Sequence, residues 1–129
     1  MTMPHMGRPR VLVVEDDLML GTLMAELLGN LGYDVCPVET TEAGAVSAAA
    51  WHKPDLMIVD LQLADGSGLS AMARIGQTNP VPHVFMSGEL VQAAMPGTIS
   101  LRKPFRESDL VRAIGQALGA GVVDGRIVE

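Results

Sequence analysis

Four short stretches carry the side chains best equipped for chemistry: Glu15-Asp16-Asp17, Asp60, Ser87, and Lys103 followed by Pro104 and Phe105. Lys103 is one of only two lysines, the other being Lys53; every other fixed cation is an arginine. An ammonium is a compact point charge suited to single anionic oxygens, and the planar fork of arginine does not replace it. Carboxylates gathered in one place repel one another and need a cation, and hard oxygen ligands suit Mg²⁺. A lysine and a hydroxyl can hold the remaining oxygens of a phosphoryl group, and a carboxylate can act as nucleophile toward phosphorus.

These residues follow segments that read as strands. Val11-Leu12-Val13-Val14 and Leu56-Met57-Ile58-Val59 are unbroken apolar runs, as expected of strands buried on both faces; the second closes on Asp60. Asp34 to Val38 is a further strand, and Pro37 suggests a place near an edge. Val81 to Met86, ending at Ser87-Gly88, and Thr98 to Arg102, ending at Lys103, complete a set of five. Between them lie helical patterns. Leu20, Leu23, Met24, Leu27, Leu28 and Leu31 make one stripe, stopped by Gly32. Thr40 or Thr41 caps a second helix through Ala43, Val46 and Ala50, ended by Pro54. Gly66 and Gly68 mark a loop before a short helix from Leu69 to Ile75. Leu110, Val111, Ile114, Ala117 and Leu118 stripe the last helix, capped near Glu107-Ser108. Strand and helix in alternation, with short connections, predict an α/β fold: a doubly wound five-stranded parallel sheet with helices on both faces. Ligands of such sheets bind beyond the carboxyl ends of the strands, where the acids, Ser87 and Lys103 fall.

At 129 residues the chain has room for one domain with a substantial core. Hydrophobic residues make up 48% and aromatics only 3%, so that core is aliphatic and methionine-rich, with Trp51 expected to pack against the sheet flank. A net charge of −6 and no basic stripe argue against nucleic acid as a partner. No apolar run approaches membrane-spanning length. The lone Cys36 reads as a small buried hydrophobe, and one thiol without a disulfide framework fits the cytoplasm. His5, His52 and His83 are dispersed without ligand spacing. Residues 1–9 are expected to form a disordered arm and residues 120–129 a tail too short for an output domain.

The segments V-L-V-V-E-D-D, L-M-I-V-D-L-Q-L-A-D-G-S-G, V-F-M-S-G and R-K-P-F, in that order, resemble the receiver domain of two-component response regulators, over about residues 10–119. The resemblance implies the flavodoxin-like (βα)₅ receiver fold. It implies that Asp60 is the phosphoacceptor, taking a phosphoryl group from a sensor histidine kinase or phosphotransfer protein. Mg²⁺ (or Mn²⁺) would be held by Asp16 directly, Glu15 largely through water, Asp60, and the Gln62 backbone carbonyl. Ser87 and Lys103 would bind the phosphoryl group, Gln62 and Glu89 would tune its hydrolysis, and the Lys103-Pro104 peptide would be cis. Ser87 would move on activation, and Ser100 stands at the family's second switch position. Output would pass to a downstream protein, from a monomer or weak homodimer.

The sequence departs from the family at three places. Ala64 stands where the loop after Asp60 usually carries proline, which should loosen that loop. Ser100 replaces a switch aromatic. The stretch between Ser87 and Lys103 is shorter than usual, so a fourth helix within Glu89–Gly97 is expected to be short or irregular, as in atypical single-domain receivers. Each motif also has a plainer reading: the acids after the first strand could simply begin a helix, Asp17 above all, and Ser87-Gly88 could be a turn. Two alternatives to a stand-alone receiver remain: a phosphorylation-independent protein-binding pseudo-receiver, and a receiver that is part of a larger kinase or regulator. An aspartyl-nucleophile phosphatase would need an acid two positions after Asp60, where Gln62 stands.

Overall fold

Strand β1 runs Arg10–Val14 and β3 runs Leu56–Asp60, and apart from Arg10 every residue in both is buried. Their unbroken apolar character follows, because alternate side chains of a strand point to opposite faces and helices cover both faces of this sheet. The computed structural model describes residues 7–88, 98–119, 121–123 and 126–128. Within them the order continues with helix α1 (Leu18–Asn30), β2 (Asp34–Val35), α2 (Glu42–His52), α3 (Gly68–Thr78), β4 (His83–Ser87), β5 (Ser100–Arg102) and α4 (Glu107–Ala117). Five strands pair in parallel, as the sequence predicts, and their order is β2-β1-β3-β4-β5. The chain leaves β1 toward β2 on one side and returns to β3 on the other. The carboxyl ends of β1 and β3 therefore flank the point where strand order reverses.

The core has two halves. Leu12, Val14, Met57, Val59 and Phe85 face α2 and α3, meeting Ala45, Ala48, Ala49, Ala71, Met72 and Ile75. Val11, Val13, Ile58, Val84 and Met86 face α1 and α4, meeting Met24, Leu28, Leu110, Ala113 and Ile114. The alanines of α2 let its backbone lie close to the sheet. Helix ends follow local chemistry. Asp17 caps α1, its Oδ1 accepting from Met19 N at 3.0 Å and Leu20 N at 3.2 Å. Thr41 Oγ1 caps α2 by accepting from Gly44 N at 2.9 Å, and Ser67 Oγ caps α3 by accepting from Ser70 N at 3.0 Å.

Several expectations need correction. β2 pairs over only two residues, Asp34 and Val35; Cys36 N still donates to Val11 O at 2.9 Å, and past Pro37 contact resumes as a single bridge between Val14 and Glu39. β5 is likewise shorter than expected, starting at Ser100. Helix α2 runs through Ala43, Val46 and Ala50 as expected, and its buried positions are Ala45, Ala48 and Ala49, a phase that alanine on several sides leaves without apolar contrast. Trp51 does not pack on the sheet; it is 82% exposed, at the end of α2. Leu23 and Leu118 are exposed as well. Gly68 opens α3 rather than lying in the loop. Glu107 and Ser108 lie inside α4, and its first turn is instead tied by Asp109 Oδ2 accepting from Arg106 N at 3.0 Å. Where the sequence predicts only a tail, Gly121–Val123 (β6) and Arg126–Val128 (β7) pair antiparallel as a separate hairpin. The expected short fourth helix at 89–97 and most of the expected N-terminal arm lie outside the described residues.

Gly68 marks how tightly α3 seats on the sheet. A Cβ there would collide with the backbone carbonyl of Asp60 and press on Val59. Gly68→Ala should therefore destabilise the protein by about 1–3 kcal/mol, the range for overpacking a fitted contact. Urea unfolding measures this; an unchanged midpoint would mean that α3 shifts freely over Asp60.

Candidate functional site

The residues after β1, at the end of β3 and after β5 converge although they are far apart along the chain. Glu15 and Asp60 are both buried, the two polar side chains so enclosed among the described residues. Lys103 Nζ donates to Glu15 Oε1 at 2.8 Å and to Asp60 Oδ2 at 2.8 Å. The backbone holds all three in register. Glu15 N donates to Glu39 O at 2.9 Å, and Lys103 N donates to Ser87 O at 2.8 Å. The other oxygens are also engaged: Glu15 Oε2 accepts from Asp17 N at 3.1 Å, and Asp60 Oδ1 accepts from Gln62 N at 3.1 Å.

Burial pushes the Glu15 carboxyl up from its ordinary value; the Lys103 hydrogen bond and the Asp17 N–H oppose the rise, and the Asp60 charge adds to it. Burial would lower the Lys103 ammonium, but its hydrogen bonds to Asp60 and Glu15, with the charges behind them, outweigh that and leave it raised. Lys103 thus stays protonated across the physiological range.

Asp16, half-buried, completes an acidic group in which one carboxylate oxygen from each of Glu15, Asp16 and Asp60 lies within 4.8 Å of the others. Ligand oxygens opposite one another on an octahedral Mg²⁺ sit roughly 4.2 Å apart, so this set fits a small hard divalent cation with modest closure. Gln62 sits one residue past Leu61 on the loop after Asp60; its side chain is exposed and it forms an antiparallel bridge with Ser67. Ser87 ends β4 opposite Arg102, one position beyond the Asp60–Met86 pair, on the rim shared with Lys103. Ser100 lies three positions earlier along β5, roughly 10 Å from Lys103 at strand spacing. Its Oγ is buried without a hydrogen-bond partner among the described residues. The Lys103-Pro104 peptide is cis. Glu89 lies outside the described residues.

One residue at this rim was not legible from the sequence. Glu42, first in α2, has a side chain only 16% exposed. Its Oε1 accepts from Ser67 N at 3.0 Å, and its Oε2 accepts from Ser70 Oγ at 2.7 Å and Arg74 Nη1 at 3.0 Å. An acid at this position reads as a helix-dipole residue. Its partners stand 25, 28 and 32 positions away, and no local pattern announces them.

The family model for the response regulator receiver domain matches residues 11–115. The chain is 35% identical over 115 residues to the transcriptional regulatory protein PdtaR of Mycobacterium tuberculosis, covering 84% of this chain and 56% of PdtaR. It is 33% identical over 118 residues to the phyllosphere-induced regulator PhyR of Methylorubrum extorquens, covering 84% of this chain and 43% of PhyR. Among solved structures, the solution NMR structure of the Erythrobacter litoralis PhyR receiver domain superposes with a TM-score of 0.76 at 35% identity, covering 88% of this chain and 92% of that one. The chain thus spans about half the length of these two curated relatives.

Two outcomes follow from the electrostatics. Lys103→Met leaves Glu15 and Asp60 without their shared ammonium. Because Lys103 is 25% exposed, the loss should fall between that of a surface pair and a buried one, roughly 2 kcal/mol in chelator-treated buffer. Chemical denaturation tests it, and an equal or higher midpoint for the variant would contradict the assigned pairing. The Ser70 hydroxyl, the Ser67 N–H and Arg74 together hold the Glu42 carboxyl down at about 2. Its folded value is depressed, so its stabilisation is complete above 4.5 and is lost as pH falls toward about 2. Glu42→Gln should therefore flatten the stability curve across that acid window, while a parallel curve displaced by a constant would show that Glu42 does not titrate as described.

Proposed function

We propose, from the premise that this chain belongs to the response regulator receiver domain family, that it is a phosphoacceptor switch: Asp60 takes a phosphoryl group from a sensor histidine kinase or phosphotransfer protein. An Asp60 carboxylate oxygen attacks phosphorus, the new P–O bond forms, and the P–N bond breaks with its electron pair returning to the imidazole. Glu15, Asp16, Asp60 and the Gln62 carbonyl are the groups that would hold Mg²⁺ (or Mn²⁺). That ion supplies charge neutralisation between an anionic donor and an anionic acceptor.

The protein's own groups do the rest. The observation that supports the reading is Lys103 Nζ at 2.8 Å from both Asp60 and Glu15, beside Asp16. An ammonium has three donors, so a third remains for an incoming phosphoryl oxygen. Its charge offsets the negative charge that gathers on the transferring group. The Ser87 hydroxyl, on the same rim, would donate to another oxygen of that group. Gln62 and Glu89 would set how readily water reaches the acyl phosphate.

The added dianion then favours whichever conformation brings Ser87 and Lys103 closer to Asp60, shifting a population rather than building a new state. At Ser100 no ring is available to report the change, so the signal would leave by another route to a downstream protein. We place this activity in the cytoplasm, in keeping with the single buried thiol of Cys36, and in a monomer or weak homodimer. Among the described residues no helix is long and apolar enough to cross a membrane.

Incubation with acetyl phosphate and Mg²⁺ should add the mass of one phosphoryl group, and Asp60→Asn should abolish it. Chelating the divalent ion should slow uptake on the order of 100-fold, the equivalent of a few kcal/mol of lost charge stabilisation. Wild-type protein that gains no mass under any of these conditions would leave a binding module that works without phosphorylation.

A further inference from the structure

We infer that Glu42 is a positioning residue for the divalent-ion site, holding from α2 the loop that presents Gln62; this rests on the function proposed above. The loop from Leu61 to Ser67 needs an external restraint. Gly66 adopts φ +92° and Ala64 leaves its backbone unrestricted, so the segment has much conformational freedom to lose on ordering. Within the loop, the internal ties are Gln62 N to Asp60 Oδ1 at 3.1 Å, Gly68 N to Leu61 O at 3.0 Å, and the Gln62–Ser67 bridge.

Glu42 supplies the ties to the outside. Its backbone N donates to Asp65 O at 3.1 Å, and its Oε1 accepts from the N–H of Ser67, the residue that caps α3. Its Oε2 takes the Ser70 hydroxyl and the Arg74 guanidinium, one and two turns into α3. Gly66 lies so close that any Cβ there would collide with the Glu42 side chain. A long acid at a helix start is ordinarily solvated; this one is largely covered, with both oxygens committed to another element.

The restraint reaches the site in two steps. Ser67, held by Glu42, bridges directly to Gln62. Gly68, the next residue, sits against the Asp60 carbonyl. Loosening the start of α3 therefore frees both the proposed carbonyl ligand and the backbone of the proposed nucleophile.

The test is Mg²⁺ affinity of the full chain, by calorimetry and by amide NMR shifts, for wild type, Glu42→Gln, Glu42→Ala and Arg74→Ala, with melting temperature recorded for each. Glu42→Ala should weaken Mg²⁺ binding by about tenfold or more, as loss of outer-shell support does. It should also speed amide exchange at Gln62 and Ser67 before Mg²⁺ is added. Glu42→Gln, whose amide oxygen still accepts from Ser67 N, should recover part of the affinity, and Arg74→Ala should lose the least. Lower melting temperatures with Mg²⁺ affinity within about twofold of wild type, in whichever Glu42 variants fold, would make Glu42 a merely structural clamp and overturn the inference. Wild-type protein that binds Mg²⁺ and accepts phosphate beside such unaffected variants would sink this inference alone; wild type that binds no Mg²⁺ would remove the proposed function and the inference together.

Discussion

One ammonium shared by two buried carboxylates governs the rim of this protein. Glu15 follows β1 and Asp60 ends the adjacent parallel strand β3, so the register that pairs Val14 with Val59 brings them together. Two enclosed carboxylates repel, and burial alone already pushes Glu15 toward its neutral form. Lys103, arriving from the other side of β4, places one charge at 2.8 Å from each. It offsets part of the repulsion and leaves the group, with Asp16, still net negative. Carboxylate oxygens gathered this closely are spaced for a small hard cation.

The rest of the fold can be understood as what keeps those three groups at that spacing. Aliphatic strands buried on both faces are rigid to displacement, because a one-residue slip would turn every core side chain to the wrong half. The backbone of Lys103 is bonded to Ser87 and that of Glu15 to Glu39, so neither side chain hangs from a free loop. Asp60 is fixed from behind by Gly68, where the absence of a Cβ lets α3 approach its carbonyl. The less constrained part is the loop after Asp60, and there restraint comes from another helix, through Glu42.

Strands β1 and β3, Asp60 at a strand end, Lys103 opposite the acids and Asp17 as a cap were all legible in the sequence. The reason is that burial on both faces writes an apolar run directly into the chain and that charged residues at the ends of such runs are conspicuous. Where the pattern carried no contrast, legibility failed. Alanine recurs so often in α2 that the pattern does not phase its buried side, and Trp51, large and apolar, suggests packing against the sheet flank yet faces solvent. Leu23 fits the α1 stripe in period, yet it falls where that stripe extends past the sheet-facing side and is exposed. β2 is short because its register slips: Cys36 N meets Val11 O and Glu39 N meets Val13 O, so three residues span two of β1, an extra residue that no local pattern announces.

Glu42 shows the remaining limit and why it is physical. Its residue type and position suit a favourable interaction with its own helix dipole, so local reasoning is satisfied and looks no further. What distinguishes it is that both oxygens point away from α2, to Ser67, Ser70 and Arg74 on another element. Gly66, which the sequence marks only as part of a loop, is the complementary half of the same contact: the loop must pass close to a bulky side chain, and a residue with a Cβ would not fit. Two unremarkable residues in the sequence thus form one packing constraint. Its effect falls on the loop that leads out of Asp60, where freedom of the backbone would most readily spread the acidic group apart.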